Sequence, residues 1–67
     1  MKIELDDKFT NADTRRVYIV TAIMDYRDLQ RSRLTDVMYE LKNTATGRYI
    51  MQSQDELLDP AKWQVTK

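Results

Sequence analysis

The sequence predicts a mostly all-β fold: a small barrel of about five short strands, with one helical turn before the last. Three stretches carry that reading. "VYIVTAI" (residues 17–23) is a β-branched, alternating run, "YELKNTATGRYI" reads strand–turn–strand, and "SQDELLDPAKWQV" pairs a helix-start signal with a proline stop. The 67 residues include one glycine and one proline, so the chain reads as a single domain over residues 1–67 in which each of these two residues is informative. A chain of this size buries only about 60% of the surface its unfolded form exposes, so its core must be thin.

Upstream, "IELDDKFT" offers Ile3, Leu5 and Phe9 as apolar contacts. It predicts a first strand over residues 2–10 with a kink at Asp6-Asp7. "NADTRR" then reads as a turn, because the short polar side chains of Asn11, Asp13 and Thr14 can bond to nearby backbone. In the second strand, alternation puts Tyr18, Val20 and Ala22 on one face and Val17, Ile19, Thr21 and Ile23 on the other. Both faces are partly apolar, as in a strand covered on two sides.

The middle of the chain admits two readings. A helix over residues 26–41, capped by Asp25, places Tyr26, Leu34, Val37 and Leu41 within about 80° of one another. A strand over residues 36–43 instead turns Val37, Tyr39 and Leu41 one way and Met38, Glu40 and Lys42 the other. The downstream residues favour the strand. Asn43 opens a turn, Gly47 occupies the position that needs positive φ, and "RYIMQS" alternates again, which together make a hairpin signature. Residues 24–36 then become the connection between the second and third strands, and connections of that length are often functional. Tyr39, Tyr49 and Trp63 are expected in the core.

Ser53 and Glu56 have the spacing of a capping box, which predicts one helical turn over residues 54–58. Asp59-Pro60 ends it, since the residue before proline is pushed out of the helical region. A last short strand follows, with Trp63 and Val65 turned inward. This order of elements over residues 2–66, with "DKFTNADTRRVYIVTAI", "YELKNTATGRYI" and "DELLDPAKW", resembles the Src-homology-3-like small barrels. More loosely, it looks like short phage- and prophage-encoded barrel proteins. The first resemblance implies a five-stranded barrel. The second implies a small accessory protein that binds or inhibits a host or viral macromolecule. The peptide-binding members of the fold carry tandem aromatics in their first loop, and "TNADTR" lacks them.

The chemistry available argues against an enzyme. There is no histidine, the commonest general base at neutral pH, and no cysteine to act as nucleophile or metal ligand. Neighbouring Asp6 and Asp7 face opposite sides of a strand and cannot form an acid/base pair. Asp55, Glu56 and Asp59 read as acidic groups near a helix start, where they complement its dipole, without a calcium-loop pattern. No catalytic residue, metal ligand or cofactor is expected. Residues 1–10 lack the apolar stretch of a signal peptide, and no window approaches the roughly 20 apolar residues of a membrane span, so a cytoplasmic, membrane-free protein is expected.

Charge is balanced overall, 11 basic against 11 acidic residues, but it is unevenly placed. Arg15, Arg16, Arg27, Arg31, Arg33, Lys42 and Arg48 make the middle mildly basic between acidic flanks. Non-catalytic binding to another protein is the favoured function, with Tyr26, Arg27, Leu29, Arg31 and Arg33 as the contact residues, since Tyr and Arg are enriched at interface hot spots. Nucleic-acid binding through Arg15, Arg16, Lys42 and Arg48 is the alternative. Asp25, Asp28, Asp36 and Glu40 interleave with the basic residues and would repel phosphate. Edge strands of an open small sheet leave homodimerisation open.

Overall fold

A computed structural model describes residues 3–25 and 37–66. Its strands are β1 (Lys8–Asn11), β2 (Val17–Asp25), β3 (Val37–Asn43), β4 (Tyr49–Ser53) and β5 (Trp63–Thr66), with the one-turn helix α1 (Gln54–Leu57) before β5. They form one antiparallel sheet in the order β4-β3-β2-β1-β5. The sheet curls into a half-barrel, and the fold is all-β as the alternation predicted. Among the described residues no helix is long and apolar enough to cross a membrane.

The strand period explains the core. Tyr18 and Val20 of β2, and Val37, Tyr39 and Leu41 of β3, fall on one face and are buried with Ile3, Phe9, Leu57 and Trp63. Ile50 packs against this cluster. The rings of Tyr18 and Trp63 meet edge to face at 5.4 Å, a geometry that adds about 0.5–1.5 kcal/mol beyond area burial. The β2–β3 register shifts between Val20 and Ala22. Such a bulge bends the sheet, and Thr21 Oγ1 donates there to the Glu40 carboxylate at 2.8 Å.

Strand formation over residues 37–41 excludes the helix over residues 26–41 as a whole; its remaining part lies outside the described residues. The first strand is shorter than expected. Asp6 has φ 71°, so the chain turns at residues 5–6 and Leu5 is left 57% exposed. Asp7 Oδ2 holds this turn by accepting from Glu4 N at 2.8 Å. Tyr49 is exposed, contrary to the core expectation, because the register pairs Leu41 with Ile50 and so brings Ile50 to the core face. Trp63 is buried as expected, whereas Val65 is 44% exposed. Val65 lies opposite Phe9 on an edge strand, which has a neighbour on one side only.

α1 forms as its capping signal predicts. The Ser53 side chain accepts from Glu56 N at 3.3 Å, and Leu57 is buried. The Glu56 side chain does not reach back. It pairs instead with Lys62 Nζ at 2.9 Å, which raises the Lys62 pKa through the hydrogen bond and the neighbouring negative charge. Asp59 Oδ1 accepts from Ala61 N at 3.0 Å and shapes the connection to β5.

Candidate functional site: an arginine-lined cleft between twin turns

The turns after β1 and after β3 share one design, legible as N-x-x-T-x-R. Asn11, Thr14 and Arg16 occupy the fixed positions in one, and Asn43, Thr46 and Arg48 in the other. In the first, Asn11 Oδ1 accepts from Asp13 N (2.9 Å) and Thr14 N (3.0 Å), and Thr14 Oγ1 accepts from Arg16 N (3.3 Å). In the second, Asn43 Oδ1 accepts from Ala45 N (2.8 Å) and Thr46 N (3.1 Å), and Thr46 Oγ1 accepts from Arg48 N (3.3 Å). The backbone repeats as well. Arg15 N donates to Asn11 O and Gly47 N to Asn43 O, each at 2.8 Å. Arg15 and Gly47 both have positive φ, 63° and 76°.

These turns lie side by side because β1 and β3 flank β2. The second docks on the start of β2, with Thr44 N donating to Val17 O at 3.0 Å. Between them lie two adjoining open clefts. One, of ≈ 550 Å³, is lined by Arg16, Tyr18, Asn43, Thr46, Arg48 and Ile50. The other, of ≈ 390 Å³, is lined by Arg15, Arg16, Val17 and residues 43–46. No carboxylate lines either cleft among the described residues. Arg15, Arg16 and Arg48 are exposed and make no ion pair among those residues. Guanidinium groups so placed offer planar donor forks to carboxylate or phosphate.

Of the residues named for nucleic-acid binding, Arg15, Arg16 and Arg48 therefore border the twin-turn clefts: Arg16 both, Arg48 the larger and Arg15 the smaller. Lys42 does not. It alternates with buried Leu41 and Asn43, so it points to the opposite face, where its Nζ lies 5.9 Å from the Tyr49 ring centroid. Tyr26, Arg27, Leu29, Arg31 and Arg33 lie outside the described residues. Asp25 and Val37, between which their segment runs, pair at the far end of the β2–β3 ladder from the twin turns. Tyr18, Asn43, Thr46 and Ile50 were not foreseen as site residues. The repeated N-x-x-T-x-R spacing was the signal that could have found the turn positions.

Among the described residues no group of three or more acidic side chains is placed to hold a metal ion. Comparison with protein-family models, curated proteins and solved structures returns no significant match.

Proposed function

We propose that the chain is a non-catalytic binding module whose partner is a protein presenting an acidic segment to the twin-turn clefts. One observation carries the reading: each of two adjoining clefts is lined by two arginines, Arg16 with Arg48 in the larger and Arg16 with Arg15 in the smaller, and no described carboxylate lines either. The apolar contribution of Tyr18 and Ile50 to the larger cleft suits a polypeptide, whose acidic side chains alternate with apolar ones. The strand order, with its helical turn before the last strand, supports a Src-homology-3-like barrel. That fold hosts many functions, so the site carries the argument.

Nucleic acid is the second reading, favoured by the exposure of the three guanidinium groups on turns. It is the weaker one. Base stacking needs exposed rings beside the cations, yet Tyr18 is buried and exposed Tyr49 sits on the other face with Lys42. A balanced net charge also gives little long-range attraction to a polyanion.

Trp63 is the single tryptophan and meets Tyr18, a cleft residue, edge to face, so its emission can follow binding. Titration with an oligoglutamate peptide should give saturable binding that weakens with salt. Arg16→Ala and Arg48→Ala should each weaken it by about two- to fivefold, the range of an exposed ion pair. Saturable binding of a DNA duplex without peptide binding would transfer the site to the second reading.

A further inference from the structure

We propose that Arg15 is a partner-contacting residue, kept in a left-handed backbone conformation for binding at the expense of folding stability. The proposal rests on the twin-turn clefts being the binding surface. The two turns provide an internal comparison, because they share their hydrogen bonds and differ at the one position that must be left-handed. There the second turn has Gly47 with φ 76°, and the first has Arg15 with φ 63°. In that conformation a Cβ crowds the following carbonyl oxygen, so glycine is favoured and arginine is not.

No role within the fold accounts for the side chain at position 15. It is exposed, and it makes no ion pair or side-chain hydrogen bond among the described residues. The turn itself closes through main-chain groups and the Asn11 and Thr14 side chains. Gly47 demonstrates that the same turn closes with no side chain at that position. Arg15 does line the ≈ 390 Å³ cleft, next to Arg16. Its guanidinium adds another planar fork for a carboxylate where Arg16 already offers one. Strained backbone conformations cluster at functional sites.

The test replaces Arg15 with residues that suit the backbone and lack the charge. Arg15→Gly and Arg15→Asn are compared with the parent chain by thermal unfolding and by titration with the oligoglutamate peptide. Arg15→Gly should melt a few degrees higher, the size of shift a small backbone relief gives in a domain this short. Both variants should bind about two- to fivefold more weakly. If Arg16→Ala and Arg48→Ala weaken binding while both Arg15 variants bind as the parent does, the cleft stands and the proposal falls. If no arginine variant alters binding, the cleft reading falls with it. Lower melting temperatures for both Arg15 variants would make Arg15 a folding residue and overturn the proposal.

Discussion

Asn43 is a polar side chain only 4% exposed, and its amide oxygen accepts from two main-chain N–H groups of the turn that follows. Removing the amide leaves those donors without their partner in a setting where water has little access. Asn43→Ala should therefore cost about 1–3 kcal/mol, and Asn11→Ala less, because the equivalent contacts around Asn11 are exposed. Gly47 separates strain from crowding. A Cβ there would sit 3.9 Å from Lys42 Cε, an ordinary contact, so only the positive φ penalises it. Gly47→Ala should lower stability by about 1–2 kcal/mol, read as a shifted denaturant midpoint at unchanged slope. A change of similar kind at position 15, made in the opposite direction, should stabilise. Asn43 and Gly47 were legible in the sequence because their residue types announce a turn. The sister turn was legible from Asn11, Asp13 and Thr14, but its left-handed position was not, since an arginine stands where the pattern calls for glycine.

At the scale of elements, α1 shows how a single helical turn holds its place in a small domain. Ser53 supplies the cap and Leu57 the anchor, 2% exposed in the core. Ser53→Ala should cost about 1 kcal/mol. Leu57→Ala should cost about 2–5 kcal/mol, enough to leave much of the chain unfolded in a thermal melt. The reverse order of these two effects would mean that the cap, rather than the core contact, positions the helix. α1 was legible because one spacing rule defines it, and β3 because the hairpin signature downstream of it decided between helix and strand. β4 was ambiguous because both of its faces carry apolar residues, Tyr49 and Met51 on one and Ile50 on the other. Only the pairing of Ile50 with Leu41 decides between them, and pairing is a non-local fact. The same holds for the cleft. The sequence supplied Arg15, Arg16, Lys42 and Arg48 as a set, and the alternation of β3 separates Lys42 from the rest.

For the whole molecule, the question is whether so thin a core holds every strand in one cooperative unit. The buried cluster draws on the segment before β1 and on β1, β2, β3, α1 and β5, while β4 contributes only half-buried Ile50. Typical per-residue stabilities give a chain of 67 residues about 3–10 kcal/mol in total. β5 is the critical case, being an edge strand of four residues paired to β1 alone. Beyond that backbone ladder, its attachment draws on Trp63 against Tyr18 and on the hydroxyl contact between Thr10 and Thr66. Because Trp63 is 5% exposed and part of the central cluster, β5 cannot leave without opening the core that holds β2. The emission of Trp63 and the far-ultraviolet dichroism of the sheet should therefore change together on heating. Emission that shifts to the red at a clearly lower temperature than the dichroism changes would mean that β5 frays first. The cleft would then lose the packing behind Tyr18 before the fold is lost, and binding would fail at temperatures where most strands persist.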